Sequence, residues 1–433
     1  MANDARGRAR GGTNRESNVR IATPRRGVGV QREAVAAETI SFPLLIGLIH
    51  LAIVQVVASL AHTRGTLNPV FTTALQMTPG DLTGIADPLV EPMRQWDGLW
   101  YRLIAIDGYD THPATAAFWP LFPWLMKVGS TVSNVAPETI GYLIANVSFF
   151  GALILLYRLI SLDFDREIAR RTLVALAFFP TALFFSAVYT ESLFLLLIVA
   201  SLYAARQEQW FAAGLYGMLA ALTRSQGVLL LLPFAVLFVQ QHHFELRRWF
   251  PNAIFAALPA LGPVIFGWQL KQADYGWLEF VDVQEQWERH RTWPWTTLQD
   301  ALNAADGGWV STFFDDPTWS TITSNAFRNQ FANSNTAELI FTVLFFVLAL
   351  IGLRILPLYQ SALVWPALLI PLFDPSDVHP LMSMPRFGIV LFPLFVVLAF
   401  LIRDRRSALP ALAISLLLLV IFTAQFALGY WVS

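Results

Sequence analysis

The chain has 433 residues, 55% of them hydrophobic and only 14% charged, with a mean hydropathy of +0.52. Soluble domains carry about 25% charged residues, so this composition excludes an ordinary water-soluble domain and points to residence in a membrane. A net charge of −1 gives no electrostatic footprint for nucleic acid, and the absence of cysteine excludes disulfides, thiolate metal sites and cysteine nucleophiles.

Residues 1–38 are rich in Arg, Gly and small polar residues. They cannot bury a core and are expected to form a disordered basic cytoplasmic tail. From Ser41 onward, apolar runs at 41–61, 137–159, 172–188, 191–205, 210–223, 226–240, 251–270, 337–354, 358–373, 387–402 and 408–430 predict an all-α polytopic membrane protein. About 11 transmembrane helices would then make a single membrane-embedded domain over 39–433. Several runs are short for about 30 Å of hydrocarbon, so tilted, broken or re-entrant helices are expected among them. The first run ends in a passable cleavage site, Ser59-Leu60-Ala61, but its length and the long segment before it favour a retained anchor over a signal peptide.

Charge sets the expected orientation in the cell membrane. With the N-terminus cytoplasmic, the tail and the segments near 158–171, 206–209, 241–250, 354–357 and 403–407 carry 19 of the 29 basic residues. That is the sense of the positive-inside rule. Acidic residues divide the other way, 10 inside and 20 outside. Two extracytoplasmic loops, 62–136 and 271–336, are too long for connectors and are expected to carry function. No internal repeat is visible, which counts against repeat-built transporters. A polytopic transporter or lipid flippase is the alternative reading; it needs polar residues along a path between the faces, and His50 and Gln55 in the first run are among the few.

Within the first loop, Trp96, Leu99, Trp100, Leu103 and Ile104 recur at helical spacing and predict an interfacial helix opened by Asp97 and closed by Gly108. Asp97 is either an N-cap or a functional carboxylate. It lies about 80° around the helix from Asp107, so the two are not expected to act as a pair. Next comes Phe118-Trp119-Pro120-Leu121-Phe122-Pro123, whose prolines are expected to prevent an ordinary helix and bend the chain back into the membrane. Tyr189-Thr190-Glu191-Ser192 and Thr223-Arg224-Ser225-Gln226-Gly227 interrupt apolar stretches at the outer boundary. Charges so placed are kept for function or pairing, so Glu191 and Arg224 either bind substrate or pair with each other.

The second loop holds Gln284, Trp287 and Arg289, then Trp293-Pro294-Trp295; six of the fifteen tryptophans lie between Trp277 and Trp319. Such rings suit sugar faces and equally suit a headgroup belt. A third outer loop supplies His379, Pro385 and Arg386, and an arginine there can grip a phosphate in bidentate fashion. No Gly-rich nucleotide cradle, His-Glu-x-x-His or serine-nucleophile elbow is present. A lipid-linked donor fits that lack.

Taken together, these segments resemble the mannosyltransferase family of phosphatidylinositol-glycan class V and its bacterial relatives. Trp96-Asp97 with Tyr101, Ile104-Ala105 and Gly108-Tyr109 is similar to the family's first-loop signature, and Phe118–Pro123 to its Phe-Phe-Pro-Leu-Tyr-Pro element. Tyr189 with Glu191-Ser192, Arg224-Ser225-Gln226-Gly227, Gln284 with Trp287 and Arg289, and Pro385-Arg386 follow in order. Trp119 replaces a phenylalanine and Gln226 an asparagine. The resemblance implies a GT-C helical bundle and an inverting transfer of a hexose, in this family mannose, from a polyprenyl-phosphate donor to a lipid or glycan acceptor. It implies Asp97 as general base, with Arg224, Arg386 and Arg289 on the donor phosphate. Trp96, Tyr101, Glu191, Gln226, Gln284 and Trp287 would contact substrate. It leaves room for a divalent cation (Mg or Mn) and for an accessory membrane subunit.

Overall fold

The structure, a computed structural model, describes residues 26–68, 89–242, 249–305 and 334–432. The tail before residue 26, residues 69–88 and 306–333 of the two long loops, Arg247, Arg248, Trp309 and Trp319 lie outside the described residues. The chain divides at Glu38: Thr39–Ser433 gather into one unit, and the described residues of Met1–Glu38 form the start of the first helix.

The described elements are helical, apart from one isolated antiparallel bridge between Arg289 and Ser376. In chain order they include α1 (Arg26–Arg64), α2 (Asp97–Asp107), α3 (Leu121–Ser133), α4 (Pro137–Asp163) and α5 (Arg166–Ala177). Then come α6 (Glu191–Arg206), α7 (Trp210–Thr223), α8 (Leu231–His242), α9 (Leu261–Gln272) and α10 (Pro294–Ala305). The last are α11 (Ser334–Gly352), α12 (Leu358–Leu369), α13 (Phe392–Leu401) and α14 (Arg405–Ala427). Among the described residues five stretches are long and apolar enough to cross a membrane: Glu38–Arg64, Pro137–Asp163, Ser225–His242, Ser334–Gly352 and Arg405–Ala427. Trp210–Thr223, Leu358–Phe373 and Phe392–Leu401 are apolar but shorter. The chain is a multi-pass, all-helical membrane protein.

Helix α6 is the centre. Its sequence is apolar all round, which marks a helix enclosed by others, and 13 of its 16 residues are buried between α4 and α7. Enclosure carries its polar first turn, Glu191 and Ser192, into the interior as well. At its other end Arg206 pairs with Asp163 of α4, which also accepts from Tyr359 (2.5 Å) and Gln360 (3.2 Å) of α12. That carboxylate is fully engaged and fixes three helix ends.

Four expectations are corrected. The 172–188 run is not one helix: α5 ends at Ala177 because Pro180 supplies no N–H and crowds the residue before it, and a buried, turn-rich segment leads on to Tyr189. Pro251, Pro259 and Pro263 likewise accompany the division of 251–270 into Asn252–Ala256, Leu258–Ala260 and α9. Pro123, by contrast, sits in the first turn of the regular helix α3, where its missing N–H breaks no intrahelical bond. The stripe of α2 is also not laid on a lipid surface. Leu99, Leu103 and Ile104 are buried in the protein together with Tyr101 and Ala105, and Trp100 stacks on Phe118 at 5.7 Å.

Candidate active site

The site is built around the strained start of α2. Trp96 has φ 53° and ψ −109°, a backbone state that a bulky L-residue holds only when its surroundings impose it. Three contacts do so. Tyr189 OH donates to Gln95 O (3.1 Å) and accepts from Asp97 N (3.2 Å), and Val188 N donates to Met93 O (2.9 Å). Trp96 Nε1 donates to Tyr430 O at 3.3 Å, and its ring meets Trp431 edge-on at 5.3 Å. Asp97 therefore opens the helix without capping it: no side-chain cap bond forms. Its carboxylate turns instead to Arg386, with Nη1 2.8 Å from Oδ2. Gly108 ends the helix at φ 83°, where a side chain would be strained.

Glu191 lies beneath this pair and is fully buried. One oxygen, Oε1, accepts from Arg224 Nη1 at 2.7 Å and from Arg386 Nε at 2.8 Å, so Arg386 joins the two carboxylates. Arg224 also donates to Thr190 Oγ1 at 3.2 Å. It leaves the end of α7 with extended backbone, and the turn after it is so tight that a Cβ on Gly227 would lie 2.3 Å from Ala221 N. Aromatic faces cover both guanidinium groups: Tyr189 lies 4.7 Å from Arg386, and Phe387 lies 5.4 Å from Arg224. Burial alone would lower the Arg386 guanidinium, but Asp97 and Glu191 beside it hold it well above its ordinary value. Burial, with Asp97 and Glu191 nearby, raises the Tyr101 phenol and keeps it protonated, although Arg224 and Arg386 pull the other way.

The two long loops and the third outer loop meet over this cluster. Trp287 lies against Trp100 (6.2 Å) and Phe118 (6.1 Å). Arg289 bridges to Ser376, and its Nη1 donates to Asp374 O at 3.1 Å. Arg289 makes no carboxylate ion pair among the described residues. Burial lowers its guanidinium from the usual value, opposed by Asp374 and Glu338, yet an arginine remains a cation.

A cavity of about 510 Å³ results, within the range of small-molecule sites. Asp97, Tyr101, Arg224, Gln226, Gln284, Trp287, Arg289 and Arg386 all line it, so eight residues singled out in the sequence come together around one cavity. Trp96 and Glu191 do not line it; Trp96 buttresses the turn before Asp97, and Glu191 anchors the two arginines from below. Three participants escaped the sequence reading. Ser383, with φ 65°, and Trp431 line the cavity. Glu338 in α11 is fully buried with Trp431 and the backbone of Ser383 as its nearest donors, and among the described residues neither oxygen completes a hydrogen bond of good geometry. A lone carboxylate in an apolar run was the available signal, the same one that marks Glu191.

The carboxylates at the site are occupied by arginine: Asp97 faces one guanidinium and Glu191 holds two. No group of three metal-ligating side chains occurs among the described residues.

Residues 34–257, just over half of the chain, match the sequence model of the family described as mannosyltransferase (PIG-V). The resemblance read from Gln284 to Arg386 lies beyond that match. No curated protein matches the chain. A crystal structure of ArnT from Cupriavidus metallidurans in the apo state matches with 14% identity over 81% of this chain and 77% of that one, at a TM-score of 0.30, too low to bear on fold or chemistry.

Proposed function

From the mannosyltransferase (PIG-V) family, to which this chain belongs, we propose an inverting glycosyltransferase that moves a hexose, mannose, from a polyprenyl-phosphate donor to a lipid or glycan acceptor. The observation that carries the reading is the convergence of Asp97 and three arginines, from four remote segments, on one cavity. A single displacement needs a base for the acceptor hydroxyl and positive charge for the departing phosphate. Asp97 takes the proton as the hydroxyl oxygen attacks the anomeric carbon. The bond from that carbon to the phosphate oxygen breaks with inversion, and the electron pair leaves on the phosphate.

The roles of the arginines are not equal. Arg224 and Arg386 are matched by two carboxylates, so their charge is largely spent within the protein. Arg289 has no such partner among the described residues and is the first candidate for the donor phosphate, with Arg224 and Arg386 completing its electrostatic wall. Gln226, Gln284 and Trp287 supply polar and aromatic contacts for sugar. The arginine-bound carboxylates give no support to Mg or Mn, and the proposed chemistry uses none. The membrane-embedded domain is taken as 39–433, with a GT-C helical arrangement and the cavity extracytoplasmic, as the distribution of basic residues favours.

The transporter alternative draws no support from His50 and Gln55, polar residues of the first run. His50 is buried and bonded to Ala177 O (2.7 Å) and Ser186 Oγ (3.2 Å), and Gln55 to Leu89 O and Tyr142, so both are tied into the protein. Incubating membranes that contain the protein with radiolabelled polyprenyl-phosphate mannose tests the proposal. A labelled lipid or glycan that depends on Asp97 supports it; no transfer from any polyprenyl-phosphate hexose overturns it.

A further inference from the structure

Helix α10 has three faces. Thr297 and Ala301 are buried, and Thr297 Oγ1 donates to Leu372 O at 2.6 Å, seating the helix on the end of the apolar Leu358–Phe373 stretch. Trp295 (64%), Leu298 (37%) and Leu302 (58%) are exposed. At about 100° per residue these three fall within an arc of about 60° that adjoins the buried face. Gln299 and Asn303, also exposed, occupy the arc beyond. A turn about the axis therefore meets protein, then apolar surface, then polar surface. A helix in water has no use for the middle arc and one within hydrocarbon cannot carry the third; this order belongs to a helix at their boundary.

The apolar arc continues onto surface that a membrane-crossing stretch would show to lipid. Trp293 and Trp295 stack with centroids 4.9 Å apart and planes 8° apart, and Trp293 lies 6.4 Å from Phe373. Phe373, Ile370 and Leu369 are exposed beside them. Because the two indoles cover each other and their neighbours are aliphatic or phenyl, they offer little to a sugar, whereas headgroup-level lipid accommodates such rings readily. Ile370, 53% exposed, belongs to this surface and lines the cavity as well.

We propose that Trp293, Trp295, Leu298 and Leu302 rest in the headgroup layer of the leaflet beside the cavity, and that the cavity opens to lipid at Ile370. Lipid contact stands on this geometry alone; its use as an entrance for a lipid-borne substrate rests on the glycosyltransferase reading.

The absence of cysteine makes the test direct. Leu302→Cys, Ile370→Cys and Gln299→Cys would each carry one fluorophore on the full-length protein in phosphatidylcholine–phosphatidylglycerol nanodiscs. Lipid bearing a doxyl group at acyl position 5 should quench the probes at 302 and 370 about threefold more than the probe at 299, and aqueous iodide should show the reverse order. Iodide quenching at 302 equal to that at 299 overturns the lipid contact. So does a probe at 302 that neither quencher reaches, the outcome if another part of the chain or a second copy covers the stripe. Iodide quenching without doxyl quenching at 370 overturns the opening. None of these readings needs turnover, so they hold whether or not the chain transfers sugar.

Discussion

Arg386 Nη1 lies 2.8 Å from Asp97 Oδ2, joining the last part of the chain to the start of α2. Asp97 is thus presented by an ion pair and by a strained turn, not by helix capping. Because Arg386 also holds Glu191, removing the Asp97 charge leaves the guanidinium partnered. Asp97→Asn is expected to express normally and to lower transfer below about a tenth of wild type, within the 10²–10⁴-fold weight of a positioned base. Radiolabel transfer at matched protein levels checks this, and higher residual activity removes the base assignment.

Lysine substitutions should separate the arginines. Arg386→Lys and Arg224→Lys keep charge but lose the planar fork that reaches two acceptors at once, and breaking a buried pair costs about 3–5 kcal/mol. Both should impair donor use and lower Tm. Arg289→Lys breaks no carboxylate pair and should raise the donor KM by about tenfold, the weight of one charge-assisted hydrogen bond, with Tm unchanged. Wild-type kinetics in all three variants would take the phosphate role away from these residues.

Among the described residues, Glu338 is a buried acid whose oxygens complete no hydrogen bond of good geometry. An unsatisfied buried group costs about 1–3 kcal/mol, more when charged. Glu338→Gln should therefore raise Tm, by about 1–3 °C for a chain of this size. Turnover should fall, because the Ser383 turn carrying Arg386 and the Trp431 indole both lie against that side chain. Thermal unfolding in detergent and initial rates check the two signs; a variant both less stable and fully active contradicts the account.

Single cysteines at Asp107 and Ser225, both exposed, report the side of the membrane on which α2 and the turn after α7 emerge. Both should react with an impermeant maleimide added outside intact cells, while Asp404→Cys reacts only after permeabilisation. Labelling of 107 and 225 from opposite sides contradicts the placement of both segments at one cavity.

The short motifs were legible because each owes its composition to local chemistry. Gly108 stops α2 with a backbone few other residues accept, Gly227 admits the Ala221 backbone, and Glu191 and Arg224 stand out against apolar neighbours. The polar start and all-apolar body of α6 likewise announce a buried helix. What the sequence hid was partnership at a distance. Nothing near Asp97 names Arg386, nothing near Glu338 names Trp431, and the mutual pairing of Glu191 and Arg224 shows only in their 2.7 Å contact. The break after α5 was missed for another reason: Phe178 and Phe179 kept the run apolar and masked the effect of Pro180.

The sharing of Glu191 by two arginines also orders events at the ribosome. Glu191 and Arg224, 33 residues apart, can enter the bilayer as a neutral couple early in synthesis, which spares the insertion machinery a lone charge. Arg386 follows 195 residues after Glu191, so Asp97 stays without this counter-ion until Arg386 has been made. A nascent chain halted before that point carries every aromatic of α2 and an ion-pair cluster that cannot yet close.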